Sequence, residues 1–285
     1  MSWVAEPWQV GLVARGGLIL ALVGLACGTI GAFVVMRGLS YAGESLSHAV
    51  LPGAVVAVMI GTPIAVGAAA AALVAAVAVG VLARGRTADD TALGIVFVGA
   101  LGLAVVLLSQ VDGVGRNLES FLFGNAFATT NNDLTVAASV AAAVVMFVAV
   151  AWRPLMASTF DPEGVRALGI NSGAVGTALL VAIALVVVAA LQAVGSLLTL
   201  ALLVTPAATA RLVTVRASHM VFVSAALGVS AGVGGLYLSY FAGLPAGGSV
   251  VLVATGFLLA ALALSRRGLR AYVAGVATRQ AAQVP

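Results

Sequence analysis

The sequence predicts an all-α fold: a polytopic membrane bundle of about nine spans, one transmembrane unit over residues 1–285, with its N-terminus outside and its C-terminus in the cytoplasm. Three observations predict it. Hydrophobic residues make up 62% of the chain and charged residues only 8%, against about 25% charged in ordinary soluble domains. The apolar runs are continuous rather than alternating, which suits spanning helices and not a barrel, and 34 glycines suit close helix packing. Arginines recur in every second connection, as expected of loops that share one side of a membrane.

The charges delimit the spans, because a bilayer core needs about 20 apolar residues per helix and charge within it is costly. Gly16 to Met36 forms the first span. Gly38 to Ile60 forms the second and carries Glu44 within it, before Gly61-Thr62-Pro63 breaks the run. Ile64 to Ala83, Thr91 to Val111 and Leu134 to Trp152 follow. Ala167 to Ala210 is too long for one span and divides around Leu191-Gln192. Ala217 to Ser265 divides at Leu244 to Gly248, where Pro245 and the paired glycines favour a turn. Within spans, Pro52 with Gly53 predicts a kink or break, and Pro206 predicts a bend, since proline removes one backbone bond and crowds the preceding turn.

Connections after the first, third, fifth, seventh and ninth spans hold Arg37; Arg84 and Arg86; Arg153 and Arg166; Arg211 and Arg216; and Arg266, Arg267, Arg270 and Arg279. Only Arg15 and Arg116 fall opposite. An eight-span chain would split the set, so the arginines support both the count and the orientation. The first eight residues lack a basic segment and a small-residue cleavage site, so the first span is expected to be retained.

Several chemistries are excluded. All 13 basic residues are arginine, and without lysine the chain can supply neither a Walker-A lysine nor a Schiff base. Cys27 is the single cysteine, so no thiolate cluster forms within one chain. The pI near 10.0 rests on a net charge of +4 spread thinly, and no basic face for nucleic acid results. His219, beside Arg216, reads as an interfacial histidine. The segment Ser120 to Asn125 reads as an outward amphipathic stretch within the outer connection 113–132.

Eight of the nine acids fall in the N-terminal tail or in connections: Glu6, Asp89, Asp90, Asp112, Glu119, Asp133, Asp161 and Glu163. Glu44 alone lies within a span, and His48 follows at i+4, on the same helical face. Such a pair can share one cation. Counted from Gly38 at about 1.5 Å per residue, His48 lies about 15 Å in, near the membrane midplane. The competing reading makes Glu44 a helix cap and gives His48 a backbone carbonyl. A second segment, Phe160-Asp161-Pro162-Glu163-Gly164-Val165-Arg166-Ala167-Leu168-Gly169, reads as a short helix over 161–168. Asp161 suits the N-cap, Pro162 the first helical position and Glu163 the positive end, while Gly169 suits a left-handed terminus.

The run Met36-Arg37-Gly38-Leu39-Ser40, followed by GESLSHAVLPG from Gly43 to Gly53, resembles the membrane permeases of ABC importers for manganese, zinc and related divalent metals. Five further segments resemble that family in order: DTALGIVFVGALGLAVVLLS from Asp90, ESFLFGN from Glu119, FDPEGVRALGI from Phe160, VGSLLTLALLVTPAATARL from Val194 and GLYLSYFAGLPAG from Gly235. The resemblance implies that Glu44 and His48 contact the transported metal, and that glutamate stands where the family usually has aspartate. It implies a homodimeric permease in a bacterial plasma membrane, joined to cytoplasmic ATP-binding subunits and an external metal-binding lipoprotein. A two-fold axis would then bring two Glu44 and two His48 together. No cofactor is held permanently: a divalent ion, manganese or zinc and with iron a further candidate, passes through, and ATP is used by the partner. Residues 155–170 become the coupling segment that docks on the ATPase, through Phe160, Asp161, Pro162, Glu163, Gly164, Arg166 and Gly169.

Two other functions compete. A secondary transporter could use Glu44 as a proton carrier, because a buried carboxylate beside a histidine can titrate near neutral pH. An intramembrane hydrolase could use Ser45 or Ser47 with His48, although nothing supports it beyond proximity and there is no nucleophile elbow.

Overall fold

The computed structural model describes residues 11–83, 89–110, 130–167 and 169–264. Arg84, Arg86, Arg116 and the four C-terminal arginines lie outside them, as do Glu6, Asp112, Glu119, most of the 113–132 connection with its segment 120–125, and Leu168 of the expected coupling helix. Eleven helices and no strand are found among the described residues. They are α1 Gly11–Met36, α2 Ala42–Met59, α3 Ile64–Leu82, α4 Asp89–Leu108, α5 Asn131–Val150, α6 Trp152–Phe160, α7 Pro162–Ala167, α8 Ser172–Val194, α9 Ser196–Val213, α10 Ala217–Ala242 and α11 Ala246–Leu264.

Eight of these are long and apolar enough to cross a bilayer, and α9 is shorter, with an apolar stretch of Thr199–Val213. The connections explain why α9 is nevertheless a traverse. The side chain of Arg37, after α1, bonds α6, which follows α5. Arg211, near the end of α9, donates to the carbonyl of Val35 at the end of α1 over 3.2 Å. Arg37 and Ala83, at the end of α3, line one cavity with Asn171 and Ser172 at the start of α8. The turns after α1, α3, α5 and α9 therefore share one end of the bundle. The chain leaves that end in α8 and returns to it in α9, whose 18 residues reach about 27 Å.

Two expected boundaries move. The break between α8 and α9 falls at Gly195, with φ 86°, not at Leu191-Gln192. A left-handed backbone there suits glycine, whereas Leu191 is fully buried within α8. The second span also starts later. Gly38 has φ 72° and Leu39 N–H reaches back to the Val34 carbonyl over 2.9 Å, the wrap that closes a helix on glycine, so α2 begins at Ala42. The turn expected at 244–248 is present but spans only Gly243 to Pro245, set by Gly243 in the left-handed region, and Gly247 and Gly248 already belong to α11.

Without a hydrophobic drive between lipid-embedded helices, close backbone approach and van der Waals contact must hold them together. Central α1 does this with a glycine face against α10. A Cβ added to Gly24 would overlap the Gly228 carbonyl, and one on Gly228 would overlap that of Gly24. Ser224 Oγ donates to the Gly28 carbonyl over 2.6 Å in the same seam. Gly31 lies equally close to the Leu203 carbonyl of α9. Phe33, Ile19, Leu20 and Ile30 of α1 are fully buried.

Candidate metal site

Helix α2 carries the pair. Tyr41 is its N-cap residue and offers no side-chain cap bond, so Glu44 occupies the third helical position, where an acid could close a capping box. The carboxylate turns instead along the helix: His48 Nε2 donates to Glu44 Oε1 over 2.9 Å. Both side chains remain partly accessible, at 24% for His48 and 22% for Glu44. The other ring nitrogen, His48 Nδ1, is buried and without a hydrogen-bond partner. An orphaned buried nitrogen is costly, and the competing reading, in which the ring satisfies a backbone carbonyl, finds no such bond.

The walls come from α4. Phe97 meets the His48 ring edge-on, with centroids 5.3 Å apart, and meets Tyr41 in the same way at 5.8 Å. Ser45 Oγ donates to the Leu93 carbonyl over 2.8 Å, tying α2 to α4 beside the pair. Ser47 Oγ donates to the Gly43 carbonyl over 2.7 Å. Both hydroxyl hydrogens are thus committed to carbonyls, and neither serine is arranged as a nucleophile for His48. Phe97 was not legible as a wall, since a lone aromatic in an apolar run signals only packing.

The position of the pair differs from expectation, and of the kink or break expected at Pro52 and Gly53 the break is absent. Counted from Ala42, His48 lies about 9 Å along α2, closer to the arginine-bearing end than the midplane position expected from Gly38. Helix α2 also runs unbroken through Pro52 and Gly53. Pro52 lacks the N–H that would bond the His48 carbonyl, so proline loosens the ladder at the site without ending the helix. Gly53 serves packing: a Cβ there would overlap the Gly67 carbonyl of α3. Pro206 is likewise interior to an unbroken α9.

The segment expected over 161–168 forms as a six-residue α7, Pro162–Ala167. Asp161 Oδ1 accepts from Gly164 N–H over 2.9 Å, the N-cap bond expected of it. Gly164 has a reason to be glycine, since a Cβ would overlap the Asp161 carboxylate. At the other end Gly169 has φ 78° and Ile170 N–H reaches the Val165 carbonyl over 3.1 Å. Phe160 is 69% exposed, and Asp161, Pro162 and Glu163 are exposed beside it. The side chain of Arg166 lies outside the described residues.

Among the described residues no group of three acids, histidines or cysteines could hold a metal. The described residues of one chain therefore offer at this site a carboxylate and an imidazole, an incomplete set for a transition metal, which takes at least four ligands.

Eight helices long and apolar enough to cross a bilayer define a multi-pass membrane protein. The chain belongs to the ABC 3 transport family, which it matches over residues 9–265. It is 40% identical over 250 residues to the manganese transport system membrane protein MntC of Halalkalibacterium halodurans, covering 87% of this chain and 86% of that one. It is 38% identical over 271 residues to the MntC of Listeria monocytogenes, covering 94% and 96%. Among solved structures it resembles PsaBC from Streptococcus pneumoniae in complex with Fab, with TM-score 0.81 and 30% identity over 94% of this chain and 96% of the other. The bundle is thus an ABC-type permease fold, and the chain is a permease subunit with no ATPase of its own.

Proposed function

We propose that this chain is the permease of an ATP-driven importer for a divalent transition metal, with manganese its main cargo, and that Glu44 and His48 are the residues that hold the ion in transit. The observation that carries the reading is the 2.9 Å pair on α2 with its buried, unpartnered Nδ1. A cation replacing the shared proton needs bonds of about 2.0–2.2 Å to each atom, which requires the pair to open by about half an ångström. Oxygen and imidazole donors suit manganese, zinc or iron(II) and not copper(I). Affinity alone favours zinc over manganese in that order. The manganese assignment therefore leans on the relatives and requires selection by geometry or by the protein that delivers the ion.

A second permease copy related by a two-fold axis completes the set with its own carboxylate and imidazole. The arginine-bearing end is cytoplasmic, with the N-terminus outside. There the exposed Phe160 and the capped α7 dock on the ATP-binding subunit, and ions arrive from an external metal-binding lipoprotein. The spans alternate between outward-open and inward-open states around the pair.

Reconstitution with the ATP-binding subunit and the binding protein tests this. Manganese enters proteoliposomes only with ATP, and zinc competes less well than its intrinsic affinity for such ligands predicts. Uptake that ignores ATP and follows a proton gradient would make the chain a proton-coupled carrier and overturn the reading.

A further inference from the structure

We infer that Arg37 is a positioning residue that carries motion of the coupling segment to the helix holding Glu44 and His48, an inference that rests on the importer reading above. Arg37 stands at the start of the five-residue turn between α1 and α2. Its guanidinium crosses to α6, the helix that leads directly into α7. Nε donates to Thr159 Oγ1 over 2.9 Å, and one terminal nitrogen donates to Ser158 Oγ and, over 3.4 Å, to the Leu155 carbonyl.

The receiving groups are organised for a cation. Thr159 Oγ1 and Ser158 Oγ both turn their hydrogens to the Leu155 carbonyl, over 2.6 and 3.2 Å. Their lone pairs are thereby left facing the arginine, and each bond polarises the next. Ser158 and Thr159 lie in the last turn of α6, where the helix dipole favours positive charge. A planar fork reaching several oxygens at once is a task for arginine more than lysine.

The turn on the other side of Arg37 is stiff. Gly38 and Leu39 wrap onto the end of α1, Leu39 is buried, and Ala42 N–H bonds the Leu39 carbonyl over 2.9 Å. A displacement of Arg37 is therefore passed to the first turn of α2, where Glu44 sits. A second contact, the edge-on ring of Trp152 against Phe33 at 6.0 Å, holds the start of α6 to α1, so that a force arriving from α7 acts on the end of α6 that Arg37 grips. Beside it lies a cavity of about 260 Å³ lined by Arg37, Ser158, Pro162, Asn171 and Thr177, giving the junction of α6 and α7 room to shift.

The test is the number of manganese ions imported per ATP hydrolysed by the reconstituted complex. In Arg37→Gln that ratio falls by about tenfold while ATP hydrolysis and complex assembly persist, a loss within the usual range for coupling between sites. Arg37→Lys, which keeps the charge at the end of α6, recovers part of it. Ser158→Ala with Thr159→Val lowers the ratio as well, and adding Arg37→Gln to that pair lowers it little further, as expected of one network. Should Arg37→Gln fail to assemble, the Ser158→Ala, Thr159→Val pair carries the same expectation with the arginine in place. An unchanged ratio in the variant that assembles, or strictly additive losses, would overturn the inference. The importer reading would survive that result, because it is tested separately, by whether the unmutated complex imports only with ATP.

Discussion

Glu44 shows how one side chain can be drawn to either of two tasks. Its position in the first turn of α2 is that of a capping acid, yet the carboxylate reaches His48 instead. Neutralising it in Glu44→Gln, or removing the ring in His48→Ala, is expected to abolish manganese uptake while the complex still assembles, as checked by size-exclusion chromatography beside transport. Normal uptake in both variants would remove the site. Glu44→Asp keeps the charge but shortens the reach by a methylene; it retains transport and changes the manganese-to-zinc ratio in a competition assay. Phe97→Ala takes away the ring packed edge-on against His48. Such pairs contribute about 0.5–1.5 kcal/mol, so uptake at low manganese falls by up to about tenfold. The acid and the histidine were legible in sequence because charge is expensive in a membrane and i, i+4 spacing is geometric. Phe97 and Arg37 were not, since their roles depend on which helices meet.

Helices were legible where composition decides them and shifted where a single backbone angle does. Proline and glycine announced the turn near 244, but the polar Gln192 drew the expected break away from Gly195, whose φ of 86° sets it. The same contrast separates glycines that pack from those that do not. Gly24→Val forces the α1 and α10 backbones apart, since even a Cβ has no room beside Gly228. Overpacking of this kind costs about 1–3 kcal/mol or more, seen as a lower thermal unfolding midpoint in detergent. Gly99→Ala in α4 meets nothing within 4 Å and is expected to be neutral or to stabilise by about 0.5–1 kcal/mol through helix propensity. Equal responses would contradict the packing described. In α7, Asp161→Ala removes the bond to Gly164 N–H, worth about 1 kcal/mol of local helix stability. Its expected signature is ATP hydrolysis that continues while manganese uptake falls.

Across the whole bundle, arginine placement and contact geometry give the same grouping by independent routes. Arginine content groups the connections holding Arg37, Arg153 with Arg166, and Arg211 with Arg216 on one side; the contacts of Arg37 with α6 and of Arg211 with Val35 bring those connections together. Which side they face is set by the positive-inside bias and can be read with thiol chemistry. Cys27 is buried, and its replacement by alanine leaves a background without cysteine. Thr62, between α2 and α3, and Leu244, between α10 and α11, are exposed in turns at the far end, whereas Val215, between α9 and α10, is fully exposed near Arg211. In intact cells a membrane-impermeant maleimide labels Thr62→Cys and Leu244→Cys at once, and Val215→Cys only after permeabilisation. The reverse pattern would invert the orientation and put the exposed Phe160 and α7 out of reach of a cytoplasmic ATPase. Labelling of Leu244→Cys and Val215→Cys from the same side would mean that α10 does not cross.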